Sequence, residues 1–250
     1  MVVTIIGEPE AVKNAVIEAI GKAVELLDLT THTGEHPRVG VADVVPFVPI
    51  KNVTMDEAVA LSKEVGKIVA EKYNLPVFLY EKSASAPHRE NLADIRRGGF
   101  EGLTEKMKLP EWKPDFGADK PHPTAGAVVI GARIPLIAYN VNLNTNNIEI
   151  ANAIAKKIRF SNGGLPHCKA IGVNLKEKGI VQVSTNITDY TQTTLYQVFE
   201  SVKIEAKHYG TTIAGSEIIG LVPLEAVVDT ASYYLGIEKI EILETNTPNP

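Results

Sequence analysis

The segment Thr31-His32-Thr33-Gly34-Glu35-His36-Pro37-Arg38 crowds two histidines, a carboxylate and an arginine among turn-forming residues. Ionisable groups gathered in one loop are the raw material of an active site. Two chemistries fit the spacing. His32-Thr33-Gly34-Glu35-His36 matches H-x-x-E-H, the pattern of inverted zinc proteases. That chemistry needs both histidines on one helix face. Gly34 costs about 1 kcal/mol inside a helix, Pro37 disfavours α geometry at His36, and the neighbouring threonines are poor helix formers. The second chemistry is general base catalysis: an imidazole takes a proton from an amine at neutral pH. Glu35 or a backbone carbonyl would fix its tautomer, Pro37 would stiffen the loop, and Arg38 would bind a substrate carboxylate with two parallel hydrogen bonds.

Other polar residues carry weaker signals. Asn140, Asn142 and Asn144 alternate along one apolar run, as groove-lining amides or as the wet face of a sheet, and Ser184 and Asn186 share that ambiguity. Arg133 and Lys120 suit carboxylate ligands or a solvated surface. His88 follows Pro87 in a long polar stretch, and His208 lies near a helix end where a cation suits the macrodipole. His167-Cys168 has no second cysteine to form a redox pair. The glycines around Gly126 and Gly131 do not make G-x-G-x-x-G, so no nucleotide is expected.

The elements that must position these groups alternate between strand and helix patterns. Val2–Ile6 is a β-branched run closed by Gly7, which predicts a first strand. Val12, Val16, Ala19, Ile20, Ala23 and Leu27 predict a helix, and Val41–Ile50 an edge-like strand that tolerates Pro46 and Pro49. Thr54 and Glu57 have capping-box spacing ahead of a helix with Ala58, Leu61, Val65, Ile68 and Val69 inward. Pro76–Tyr80 predicts a strand, and residues 81–124 a long connecting region and domain boundary with a short helix near Glu90–Arg96. In the second half, Ala127–Ile130 and Ile134–Leu143 predict strands, followed by a helix through Ala151 and Ile158. Ala170–Leu175 and Ile180–Ile187 flank a turn and predict a hairpin. A helix from Leu195 to Tyr209, a strand at Thr212–Ala214, a helix near Leu224–Tyr234 and a strand at Lys239–Leu243 complete the pattern. The expected class is α+β, built as two α/β sandwiches with the ferredoxin-like βαββαβ plan.

Composition excludes several function classes. The 250 residues are 44% hydrophobic and 22% charged, the balance of a soluble globular chain. Such a chain buries roughly 70–75% of its unfolded surface and needs no disulfide or metal staple. Cys168 is the single cysteine, which excludes an internal disulfide and a Cys-based zinc cluster and fits a reducing cytosol. A net charge of −5 argues against nucleic acid as a partner. No apolar run reaches the roughly 18–20 residues of a membrane span, and MVVTIIGEPE lacks the pattern of a signal peptide, so a cytoplasmic location is expected.

The run H-T-G-E-H-P-R-V-G-V-A-D-V-V-P-F-V-P-I, from His32 to Ile50, closely resembles the glutamate formimidoyltransferase family, which also forms one part of the bifunctional formimidoyltransferase-cyclodeaminase. The resemblance continues in order through Val53–Glu57, Leu75–Tyr80, Trp112–Gly117, Gly131–Arg133, Ile137–Leu143, Val181–Asn186 and Gly215–Leu224, nearly the whole chain. It implies two α/β subdomains, at 1–133 and 134–250, with a ligand groove between them. It also implies transfer of a formimidoyl group between N-formimidoyl-L-glutamate and tetrahydrofolate as co-substrate, without metal or nucleotide. The family's catalytic histidine lies in G-E-H-P-R and is therefore His36. The folate-binding segment after W-x-P-D-F-G is Gly117, Ala118, Asp119, Lys120, Pro121, His122, Pro123, Thr124, Ala125 and Gly126. Arg38, Arg133, Asn140 and Asn142 are the candidate substrate contacts. The partners expected are folate and N-formimidoyl-L-glutamate, with glycine open as an alternative to glutamate, and a homodimer through the exposed edge of the first domain. Family members begin with a further V-x-C-V-P-N-F-S-E-G-like strand and loop bearing acidic and polar groups, and this chain starts at the next strand. A second expectation follows from that departure: a non-catalytic or weakly active folate-binding protein of the same fold. A metal-dependent hydrolase ranks third. Nothing corresponds to a cyclodeaminase domain, so only the transfer activity is implied.

Overall fold

The structure, a computed structural model, describes residues 2–32 and 38–238. The chain divides into two compact units, Met1–Ile134 and Pro135–Pro250. The region 81–124 is therefore no boundary: it lies within the first unit and leads into that unit's central strand.

In the first unit, helix α1 (Pro9–Leu26) precedes strand β1 (Val44–Phe47), helix α2 (Met55–Tyr73) and strand β2 (Val77–Glu81). Two short helices, α3 (Leu92–Arg96) and α4 (Gly99–Lys106), then lead to strand β3 (Val128–Ala132). The strands form a parallel sheet in the order β1-β3-β2, with Val44 opposite Val129 and Phe78 opposite Val129 from the other side. This corrects the ferredoxin-like expectation for the first half. Every connection there is a long helical crossover, and crossovers rather than hairpins join parallel strands. Parallel sheets bury both faces. Here Ile17 and Ile20 of α1 and Val65 and Val69 of α2 pack with Val77, Val128 and Ile130 on one face. Phe78, Tyr80 and Val129 pack with Ile95, Leu103 and Met107 on the other.

Thr54 caps α2 as its spacing predicts, its hydroxyl accepting from the Glu57 amide while the Glu57 carboxylate accepts from Thr54. The expected first strand, Val2–Ile6, is absent. Val2 is 92% and Ile6 68% exposed, and a β-branched run becomes a strand only where another strand completes its ladder. Helix α4 escaped the sequence because it begins at Gly98-Gly99, residues that usually punctuate loops.

In the second unit, strand β4 (Ile137–Leu143) and helix α5 (Ile148–Ile158) precede the hairpin β5 (Cys168–Leu175) and β6 (Ile180–Ile187). Helix α6 (Leu195–His208), strand β7 (Ile213–Ile219) and helix α7 (Leu224–Leu235) follow. The sheet is antiparallel in the order β5-β6-β4-β7, which is the ferredoxin-like plan. The α+β class thus holds, with one parallel and one antiparallel sheet. The predicted hairpin closes with Leu175 opposite Ile180. Strand β7 runs several residues beyond the expected Thr212–Ala214, and Lys239–Leu243 lies outside the described residues. Ile137, Val141, Leu143, Val181 and Val183 face α5, α6 and α7 across one core. Gly172 lets α5 lie against β5: a Cβ there would sit 2.7 Å from the Asn152 backbone nitrogen.

One buried ion pair ties the first unit's long excursion to its sheet. Arg89 and Asp115 meet at 2.8 Å with side chains 7% and 10% exposed. Arg89 also donates to the carbonyls of Glu111 and Lys113, and Asp115 accepts from the Leu79 amide. Removing one member strands the other without water. Asp115→Ala should lower the unfolding free energy by about 3–5 kcal/mol in urea denaturation; a loss below about 1 kcal/mol would show that the pair does not hold the excursion in place.

Candidate functional site

Two segments far apart in sequence meet ahead of the first unit's parallel sheet. The Leu29 amide donates to the Thr124 carbonyl at 2.9 Å, Val41 to Ala125 at 3.1 Å and Ala127 to Val39 at 3.0 Å. Gly40 and Gly126 face each other in this short antiparallel ladder. Neither position accepts a side chain: a Cβ would fall 1.7 Å from the Ala127 carbonyl oxygen at Gly40, and 2.1 Å from the Val39 oxygen at Gly126. The residues on either side of 33–37 and the segment Gly117–Gly126 are thereby bonded to each other.

Each strand of the ladder is braced from within. His122 and Gly126 exchange backbone hydrogen bonds at 2.8 and 3.0 Å, and the His122 Nδ1 accepts from the Ala125 amide at 3.0 Å. An N–H donor requires an unprotonated Nδ1, so the neutral ring carries its proton on Nε2. On the other side, Asp43 accepts from the Val39 amide at 2.9 Å and pairs with Arg96 of α3, while its carbonyl receives the Val129 amide of β3. At the start of the segment, Phe116 bonds to Val77 and Asp119 pairs with Lys113. Lys120 and Pro123 are exposed; Ala118, Pro121 and Thr124 are half-buried.

His36, the expected catalytic histidine, lies in 33–37, outside the described residues, as does the rest of the H-x-x-E-H match after His32. The residues flanking that segment are described, and Arg38 joins them: its Nη2 donates to the His32 carbonyl at 3.1 Å and to Glu101 of α4 at 3.2 Å. Arg38, expected to touch substrate, thus has one terminal nitrogen engaged in holding the two sides of the loop together. The His32 Nδ1 lies 2.6 Å from the Asp28 carbonyl oxygen and 3.3 Å from the Asp28 amide. The Thr30 hydroxyl and amide hold the Asp28 carboxyl below its ordinary range.

Arg133 is not brought to this ladder within the first unit. It follows β3 at the sheet's carboxyl end, about 20 Å along the strand from Ala127 at the usual rise. There it donates to the Ile134 carbonyl at 2.9 Å and bonds the Tyr80 hydroxyl, whose pKa burial pushes up to about 12 with Arg133 opposing. His88 is structural: its Nε2 meets the Glu111 carbonyl at 2.9 Å and its ring stands edge-on to Trp112. Cys168 is buried in the second core, which pushes its thiol up to about 11.

In the second unit, Asn140 and Asn142 point to the sheet face opposite the helices, in register with Ser184 and Gln182 of β6. Sequence reading missed their most telling neighbours. Gln182, only 4% exposed, donates its amide at 2.8 Å both to the Asn142 Oδ1 and to Glu217 of β7. Only strand register reveals this, because residues 40 and 35 positions from Gln182 become its neighbours across the sheet. Among the described residues no group of three or more His, Cys, Asp or Glu is placed to hold a metal ion, and no helix is long and apolar enough to cross a membrane.

Comparison with known proteins agrees with this layout. A family model described as "Formiminotransferase domain, N-terminal subdomain" matches residues 1–133, and one described as "Formiminotransferase domain" matches residues 138–248. The chain is 48% identical to a glutamate formimidoyltransferase of Streptococcus pyogenes, over 96% of this chain and 80% of that protein. It is 45% identical to a glutamate formimidoyltransferase of Thermoplasma acidophilum, over 97% and 82%. A formimidoyltransferase-cyclodeaminase of Dictyostelium discoideum is 45% identical over 97% of this chain, which spans 46% of that longer protein.

Two outcomes follow from this geometry. Gly126 has φ +70° in the ladder and Gly163 φ +83° in open space. Gly163→Ala should cost only the left-handed penalty of about 1–2 kcal/mol. Gly126→Ala should exceed it by about 1–3 kcal/mol of overpacking in urea denaturation, and equal losses would show that the ladder is looser than described. For Cys168, a pKa near 11 leaves about one thiol in a thousand ionised at pH 8. A disulfide dye should therefore react slowly with the native protein, faster as pH rises towards 11, and at once in urea; rapid native reaction would contradict the burial.

Proposed function

The chain belongs to the formiminotransferase family, and from that membership we propose that it moves a formimidoyl group between N-formimidoyl-L-glutamate and tetrahydrofolate with His36 as the proton carrier. The observation that supports the site assignment is the ladder from Leu29–Val41 to Thr124–Ala127, which bonds the residues on either side of 33–37 to the segment Gly117–Gly126.

The chemistry asks little of the protein beyond position and one base. A secondary amine of tetrahydrofolate attacks the amidine carbon of N-formimidoyl-L-glutamate. His36 accepts the proton that amine loses and returns it to the departing glutamate nitrogen. One carbon–nitrogen bond forms as another breaks, and no oxidation state changes. Much of the rate comes from holding two substrates in register. Cys168 is no nucleophile here, being buried and un-ionised at neutral pH. Arg38 shapes the loop through His32 and Glu101, and Lys120, exposed on the folate segment, supplies positive charge for a carboxylate tail.

His36→Ala should lower kcat by about 10²–10⁴ while leaving folinate affinity little changed. Steady-state transfer assays beside calorimetric titration check this, and an unchanged kcat would remove His36 from the mechanism.

A further inference from the structure

The helix-free face of the second sheet carries a carboxylate that no cation among the described residues pairs with. Glu217 stands half-buried on β7 opposite Asn140 of β4. Its Oε1 accepts from the Gln182 amide at 2.8 Å and, more distantly, from the Asn140 amide at 3.4 Å. Among the described residues its Oε2 has no donor and no lysine, arginine or histidine pairs with it. Gln182 has only 4% of its surface exposed, and its amide orients the carboxylate and Asn142 together. The sheet therefore holds a positioned carboxylate beside the amides of Asn140, Asn142 and Gln182, with Oε2 open to a donor from outside.

We infer that Glu217, oriented by Gln182 and flanked by Asn140, binds the N–C–N fork of a substrate, a planar group offering two parallel N–H donors. Oε2 takes one N–H, and Oε1 takes the other in place of its distant 3.4 Å contact with the Asn140 amide. This rests on the formimidoyl-transfer reading, because both of its substrates carry such a fork. One is the formamidine of N-formimidoyl-L-glutamate; the other is the 2-amino and ring N–H edge of the pterin. A neutral amide at this position would present a donor where an acceptor is needed.

The test is calorimetric titration of the full chain with folinate and, separately, with N-formimidoyl-L-glutamate, for the wild type and Glu217→Gln. The substitution should weaken one ligand by about 10–100-fold, the range expected for a hydrogen bond to a charged group, and leave the other nearly unchanged. The affected ligand identifies which fork is held. Glu217→Asp, which keeps the charge but draws it back, should weaken the same ligand less, and it carries the test if the glutamine variant does not fold. Unchanged affinity for both ligands in variants of a wild type that binds them overturns this inference and leaves the transfer reading intact. Equal weakening of both, with a lowered melting temperature, also overturns it, since that marks general damage to the sheet. A wild type that binds neither ligand overturns the transfer reading and this inference together.

Discussion

The first unit turns on the contact between Gly40 and Gly126, where two backbones lie too close for any side chain. Three hydrogen bonds around that point hold the loop after α1 against the hairpin before β3. Because β1 and β3 begin just beyond the ladder and pair in parallel, the sheet registers both segments at its amino end. Asp43 extends the same brace, gripping Val39 and Arg96 with its carboxylate and Val129 with its carbonyl. Backbone geometry thus holds these two segments together.

Around that contact, polar groups act mainly to hold loops. Arg38 links the two sides of the 33–37 segment through His32 and fastens them to α4 through Glu101. Arg89 and Asp115 fasten the long excursion to β2. In the second unit the division of labour is different. One sheet face is a dry core under three helices, and on the other the amides of Asn140, Asn142 and Gln182 gather beside the Glu217 carboxylate. Gln182, buried beneath that face, orients the carboxylate and Asn142 together.

Much of this was legible in the sequence, and the limits have physical causes. Local signals read true: the Thr54–Glu57 capping box, the hairpin around Gly179, and the alternation of Tyr139, Val141 and Leu143 against the asparagines. Each depends on contacts a few residues apart or on strand period. Long-range pairing did not read. The β-branched run Val2–Ile6 has strand composition without a strand beside it, and the parallel order β1-β3-β2 leaves no mark on local pattern. The histidine motif and the segment Gly117–Gly126 were each visible, yet the Gly40–Gly126 ladder beside them was not. Glu217 and Gln182 were invisible as a pair for the same reason, being neighbours only through register.

The central claim is that the residues on either side of 33–37 and the segment Gly117–Gly126 form one unit through that ladder. Hydrogen exchange of the full chain, with and without folinate, tests it most directly. Peptides covering 28–43 and 117–127 should gain protection together on binding, with the Leu29, Val41 and Ala127 amides slowest in both states. Protection of 117–127 alone, with 28–43 exchanging as fast as in the free protein, would contradict the account.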